Sequence, residues 1–408
     1  MSETNTFPMR QAINWTPTRA AGLIRLEAFL PNAGYAYART RNVDRGPEDR
    51  SNVSALSPWI RRRMITEEEV VAAVLERHSP SAAEKFIQEV FWRTYWKGWL
   101  EMRPGIWDRF NHEHDPLSAA LGSDRKLAAA MRGETGIEAF DHWARELVDT
   151  GWLHNHARMW FASIWIFTLR LPWQLGARFF YDHLLDADPA SNTLSWRWVA
   201  GLHTRGKHYL ARASNIRDNT LGRFDRASGL DESAPPLTED EPSLPALARP
   251  SSGGRPTAAR VALLLTEEDL HPESWPLEAD IIACAALAVF PVHPGSPAAE
   301  FSTGALADAL ARAQSRFGAE GRLVVADEIA DWARSTGAAE IVTGFAPVGP
   351  IARYLDAAEP RLQEQGQRLV RLQRDWDKRA WPLATAGFFK MKAQIPKMLA
   401  ESGLILPR

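Results

Sequence analysis

The 408-residue sequence predicts two units in series, an all-α half followed by a parallel α/β half. Three observations carry that prediction. Residues 17–215 repeatedly set apolar side chains at helical spacing and nowhere alternate like a half-buried strand. Residues 222–257 are rich in Pro, Ser, Gly and acid and nearly free of large apolar side chains, the composition of a linker or a poorly ordered excursion. Beyond them, short apolar runs alternate with helical patterns, as in a sheet whose parallel strands are joined by crossover helices. The expected division is therefore a helical domain over 1–221, a linker over 222–257 and a Rossmann-like α/β domain over 258–408.

Taken in order, residues 17–30 form an amphipathic helix that starts near Pro17 and Thr18. A loop rich in Arg, Asn, Asp and Gly follows, to about residue 53. Ser57-Pro58 opens a further segment, in which Thr66 ahead of three glutamates reads as a capped helix start. Residues 82–100 form a strongly amphipathic helix. A looser stretch covers 103–126, and helices then run over about 136–150, 152–170 and 173–185. The segment Asp186–Trp198 holds two acids, an amide and two indoles, and its Pro, Asp, Asn and Ser predict a turn between helices. In the second half, strands are expected at 260–265, 287–292, 322–326 and 340–345, with helices at 303–317, 327–336 and 350–365.

Composition narrows the function classes. The net charge of −2 gives no global basic field for nucleic acid, so any DNA contact has to use a local patch. The single cysteine, Cys284, excludes a disulfide framework and a cysteine-held iron–sulfur cluster. The opening residues MSETNTFPMR lack the apolar core of a signal peptide, and the longest apolar runs are too short to span a bilayer. A soluble, cytoplasmic monomer is expected. Seventeen tryptophans against six tyrosines point to aromatic surfaces beyond ordinary packing.

Three separate segments offer indoles together with polar groups. On the 82–100 helix, Glu89, Trp92, Arg93 and Trp96 share one stripe, where a carboxylate is costly unless paired. Trp152, Asn155, Arg158 and Met159 share a second face, and the 186–198 segment supplies the third. Such a set suits a large, flat, polar ligand with aromatic rings and phosphates. There is no GxGxxG and no Walker loop. Asn111-His-Glu-His-Asp115 has adjacent ligands but no distant partner, and His154 and His156 lack metal-ligand spacing, so no metal is expected. The basic turn His203–His208 suits a phosphate, of flavin or DNA, as well as plain solvation.

At these residues the chain resembles the flavin-binding helical domain of the photolyase/cryptochrome family, over about residues 17–215. Tyr37-Ala-Arg-Thr-Arg-Asn42 and Ser54-Ala-Leu-Ser-Pro-Trp59 resemble its phosphate-binding region. Glu89-Val-Phe-Trp-Arg93 matches an E-x-x-W-R helix, and Thr150–Met159 a TGWxHNxxRM segment. Asp186–Asn192 resembles a D-x-D-x-x-x-N loop, and Trp196-Arg-Trp198 a W-x-W. The resemblance implies FAD held at its phosphates by Tyr37, Ser54, Leu56 and Ser57, several through backbone N–H groups. Arg158 and Asp186 would pair beside the ring, Asp188 would bond it and Asn192 would face its N5. Glu89, Arg93 and Asn155 complete the cofactor set. Trp196 and Trp173 match the first two members of an electron relay; Ala120 stands where a third would be, so the relay is shortened or rerouted through Trp143 or Trp160.

On the substrate side, Glu89, Trp92, Asn155, Met159 and Trp198 match residues that surround a flipped-out pyrimidine dimer, with Glu89 stabilising its radical anion. The implied activity is FAD-dependent, light-driven repair of cyclobutane pyrimidine dimers, with damaged DNA as partner. Two departures stand out: His156 replaces an arginine, and 199–215 diverges. Rival readings are a cryptochrome-like photoreceptor, favoured by the near-neutral charge and His156, and a flavin-free structural or DNA-binding descendant. Residues 258–408 faintly resemble the antenna domain that in this family precedes the flavin domain, which implies a circular permutation. The segment LLLTEEDLHPES lacks the arginine-containing loop expected there, so an antenna chromophore is not expected.

Overall fold

The computed structural model describes residues 15–225, 229–239, 247–248 and 253–406. Helices α1 (Arg19–Phe29) and α2 (Tyr35–Thr40) open the chain, so the predicted loop before residue 53 contains a short helix. Helix α3 (Ser57–Arg61) leads to α4 (Glu67–Arg77), whose start is the predicted capping box: Thr66 accepts from Glu69 N, and the Glu69 carboxylate accepts from Thr66 N. Helix α5 (Pro80–Glu101) is the spine of the molecule. Ser79 caps it, Pro80 sits where its missing N–H costs nothing, and both flanks of its last turns are buried.

The stretch expected to be loose is instead α6 (Gly105–Leu121) followed by α7 (Arg125–Arg132). Helix α6 hides only Ile106, Trp107 and Phe110 and carries Pro116, so its apolar signal fades along its length. Helices α8 (Glu138–Thr150), α9 (Asn155–Ser163) and α10 (Trp173–His183) follow, with a π-turn over Ile164–Thr168. The segment expected to be a turn up to Trp198 is mostly helix: α11 (Pro189–Ala200) begins immediately after Asp188. Helix α12 (Ala213–Asn219) closes the helical half, which has no strand among its described residues.

The second half is a five-stranded, wholly parallel sheet in the order β3-β2-β1-β4-β5. Its strands are β1 (Arg260–Leu265), β2 (Asp280–Leu287), β3 (Gly321–Val324), β4 (Glu340–Gly344) and β5 (Arg368–Leu372). Strand β2 lies upstream of the expected 287–292, and β5 was not expected. Helices α13 (Pro297–Phe317), α14 (Ile329–Thr336) and α15 (Pro350–Glu364) cover the sheet. The chain then returns to the helical half through α16 (Asp375–Ala380), α17 (Phe388–Lys392) and α18 (Ile395–Glu401).

The two halves share one apolar core that runs from α1 to the last helix. Gly98 of α5 lets Trp381 approach so closely that an added Cβ would lie 2.8 Å from the Trp381 Cα. Phe388 stacks on Trp92 at 3.8 Å, and the Trp376 indole donates to Thr94 Oγ1 at 3.0 Å. Residues 229–239, expected to be linker, lie on the helical half: Leu237 N donates to Ala200 O at 2.9 Å, and Arg197 forks onto Glu239. No helix among the described residues is long and apolar enough to cross a membrane.

Candidate functional site

The loop between α10 and α11 supplies the acids. Gly151 ends α8 in the left-handed conformation (φ 67°), and its carbonyl accepts from Leu185 N at 2.8 Å, which fixes where the loop begins. Ala187 takes φ 35°, a strained value for a residue with a Cβ, and so turns Asp186 and Asp188 to neighbouring positions. Asp188 caps α11 by accepting from Ser191 N at 3.0 Å. Arg93 of α5 bridges the pair, bonding Asp188 closely and Asp186 at 3.3 Å, while Arg158 of α9 reaches Asp186 at 3.4 Å. Burial pushes both carboxyls up, but the arginines outweigh it: Asp186 is held below its ordinary value and Asp188 falls to about 2. Both are anions at neutral pH, and Arg93 stays a cation.

Helix α5 presents Glu89, Trp92, Arg93 and Trp96 to one cavity, as their spacing predicts. Glu89 is not bare. Arg41, just after α2, holds its carboxylate in an ion pair. Burial nevertheless wins over Arg41 and raises Glu89 above the ordinary carboxylate value. Tyr37 packs edge-on against Phe29 and Phe86, and burial drives its hydroxyl pKa far up, so it is a neutral donor. At Ser54–Ser57, Ala55 takes φ 51°, and Arg25 holds the Val53 and Ser54 carbonyls at 2.9 and 2.7 Å.

Helix α9 begins at His154, whose Nδ1 accepts from His156 N at 3.1 Å. Burial lowers the His154 ring to about 4, so it serves as a neutral cap. Arg158 is aimed by its bond to Leu153 O at 3.1 Å. Asn155 stands exposed at the rim, with Met159 one turn on. On α11, the Asn192 amide donates to Ala177 O at 2.7 Å, which fixes the end of the amide spent on the protein.

These groups line a single cavity of about 520 Å³. Its wall contains Tyr37, Ser54, Leu56, Ser57, Glu89, Trp92, Arg93, Asn155, Arg158, Met159, Asp186, Asp188, Asn192, Trp196 and Trp198. Trp173 is not in that wall; it lies buried against Phe110 at 5.7 Å, beneath the Arg197 guanidinium. Trp196 meets Trp165 at 6.2 Å, edge to face. Ala120 is exposed on α6. Trp143 and Trp160 stack on each other, and Trp160 on the cavity residue His156 at 4.3 Å. The His203–His208 turn is not a phosphate grip at this cavity: the His203 ring is packed among Tyr95, Trp96 and Trp99, and burial drops it to about 3. The HEHD segment lies along α6, where Glu113 accepts from Gln174.

Sequence reasoning missed Arg41 as the partner of Glu89. The signal was its place four residues after Tyr37, on the same helical face. It also missed Ser191, whose hydroxyl is buried in the cavity wall with no hydrogen-bond partner.

An all-helical cavity that joins paired carboxylates and arginines to indoles defines a class of protein that holds a large planar cofactor. Residues 86–226 match the family described as FAD binding domain of DNA photolyase. Over these residues the chain is similar to the FAD-binding domain of photolyases, a similarity that supports FAD as its cofactor. Among curated relatives, the deoxyribodipyrimidine photo-lyase of Agrobacterium fabrum is 34% identical over 191 residues, covering 46% of this chain and 39% of that one. The deoxyribodipyrimidine photo-lyase of Alkalihalophilus pseudofirmus is 32% identical over 177 residues, covering 43% and 36%. A bacterial class III photolyase from Agrobacterium tumefaciens, known from a crystal structure, is 28% identical, with a TM-score of 0.43, covering 52% of this chain and 45% of that one. The chain thus matches less than half the length of these relatives.

The residues present fit the cofactor. The cavity is within the ~300–1,000 Å³ range of small-molecule sites, and indoles and set polar groups line it. The buried Ser191 hydroxyl is a donor waiting for an acceptor, and so is the buried, unpartnered Trp196 indole N–H.

Proposed function

We propose that this chain is a photolyase-like flavoenzyme that acts on damaged DNA. One observation carries the reading: Glu89, Trp92, Asn155, Met159 and Trp198 share a cavity with Asp186, Asp188, Arg158 and Asn192. A group that binds flavin would therefore stand beside a group that can receive an extruded base. In this reading Tyr37, Ser54, Leu56 and Ser57 hold the phosphates, while Arg158, Asp186, Asp188 and Asn192 hold the ring. Bound FAD would supply the light-driven electron.

The protein's own contribution is positional and electrostatic. Trp92, Trp198 and Met159 offer apolar walls that replace the stacking a base loses on leaving the duplex. Asn155, exposed at the rim, offers an amide to a base edge. Glu89, half-buried and raised in pKa, would in this reading hold or give a proton to a lesion carbonyl as charge develops there. Arg93 stays paired with both acids, so the floor of the cavity keeps its charge while the lesion enters.

A second reading is a cryptochrome-like photoreceptor. Two observations favour it: Glu89 is already engaged by Arg41, and Phe388 of α17 covers a face of Trp92. The test is illumination of the reduced holoprotein with an oligonucleotide that contains a thymine dimer. Restored thymines support repair; a light-dependent change in α17 without restored thymines supports the receptor.

A further inference from the structure

Three consecutive arginines, Arg61, Arg62 and Arg63, are almost wholly buried at the end of α3. Such a cluster survives burial only if anions meet it. Glu67 of α4 lies 3.4 Å from Arg63, and the other anions come from the second half of the molecule, at Asp377 and at residues 266–271, where β1 ends. Arg61 donates to Glu268 Oε1 at 2.8 Å and to the Glu267 carbonyl at 3.0 Å. Arg62 and the Ser302 hydroxyl, which donates to Glu267 Oε2 at 2.7 Å, close around Glu267. Arg63 pairs with Asp377, and Leu270 N donates to Arg62 O at 2.9 Å.

The same two arginines hold the cofactor loop from behind. Arg62 donates to Leu185 O at 2.7 Å and Arg61 to Ala187 O at 3.4 Å. These carbonyls flank Asp186 and precede Asp188. A sheet of this strand order offers its ligand crevice at the carboxyl ends of β1 and β4. Here that crevice is filled by the arginines, and after β4 by Glu101, which accepts from Val348 N. Lys97 completes the path: its buried ammonium lies 3.8 Å from Glu268 and has no hydrogen-bond partner. It is on α5, one turn after Arg93, which grips both acids of the loop.

We infer that Glu267 and Glu268 are positioning residues for the cofactor site: through Arg61 and Arg62 they hold Leu185–Asp188 in its strained turn and set the charge behind it. They lie outside the matched family region, so the α/β half acts as the rear wall of the flavin site. This inference rests on the flavin reading of the cavity.

The test measures FAD affinity and the midpoint potential of bound flavin in wild type, Glu268→Gln, Glu268→Asp and Lys97→Met, with thermal unfolding of each apoprotein. Glu268→Gln is expected to bind FAD about tenfold more weakly, a typical size for a network coupling. Its potential moves positive, because an anion behind the site is lost, and Glu268→Asp recovers part of both changes. Lys97→Met moves the potential the other way. Should Glu268→Gln fail to fold, Lys97→Met still decides the matter by the sign of its shift. Lowered thermal stability with wild-type affinity and potential in these variants overturns the inference alone. A wild-type protein that takes up no FAD overturns the flavin reading, and the inference falls with it.

Discussion

Two opposing influences set the protonation of Glu89. Burial raises its pKa and Arg41 lowers it, with burial ahead, so the carboxyl can hold a proton more readily than an exposed glutamate. If Glu89 gives or shares that proton with a lesion, Glu89→Gln should lower the yield of restored thymines by about 10²-fold, in the range of general acid–base groups. FAD content, read by absorbance, should be unchanged; a fully active variant would remove the role. A second prediction concerns two buried histidines. His154 is lowered to about 4 and His203 to about 3 from an ordinary 6.5, chiefly by burial. Their folded pKa values lie below the unfolded ones, so the unfolded chain binds protons first as pH falls. The melting temperature should therefore drop between about pH 6.5 and 3, with His203→Phe less sensitive to acid over that window. The Asp188 pairing, with a pKa of about 2, stays intact through nearly all of this range.

Helices α10 and α11 pack where Gly176 faces the Trp196 ring, and any Cβ there would overlap that ring. Gly176→Ala should destabilise by about 1–3 kcal/mol, as overpacked cores do, and should disturb the Trp196 environment seen in its fluorescence. Melting and emission that match wild type would show that the two helices can part at no cost. The elements also show what could be read from sequence. Helices α5, α8, α9 and α10 were legible because their apolar stripes are long and their spacing is clear. Helix α6 was not, since its Pro116 and its His- and Asp-rich middle resemble a loop while only three early side chains are buried. Strand β2 was misplaced because buried parallel strands do not alternate: DIIACAAL and the following run are equally apolar, and only pairing with β1 selects the first. Strand β5, RLVRL, hid its edge position behind arginines that pair with Glu340 and Glu359. The 186–198 segment looked like a turn because Asp188 and Pro189 are turn formers, yet both are equally a helix start.

At the scale of the molecule, the cavity belongs to the helical half but is braced by the sheet. The cavity residues were legible through their motifs; the brace was not, because three adjacent arginines look like solvent-facing charge until Glu267, Glu268 and Asp269 are brought to them. Removing residues 258–408 would strip Arg61 and Arg62 of Glu267 and Glu268, leave Arg63 with Glu67 but without Asp377, and uncover Trp92 and Gly98 on α5. The shortened chain is expected to be insoluble or to retain no FAD; a soluble fragment with full flavin content would show that the sheet is dispensable. Whether the acid–indole cavity holds FAD is read from the visible absorption spectrum of the purified wild-type protein beside Asp188→Ala. One FAD per wild-type chain, and little or none in the variant, is the expected result. No flavin in wild type even after incubation with excess FAD, or equal flavin in both proteins, would contradict it.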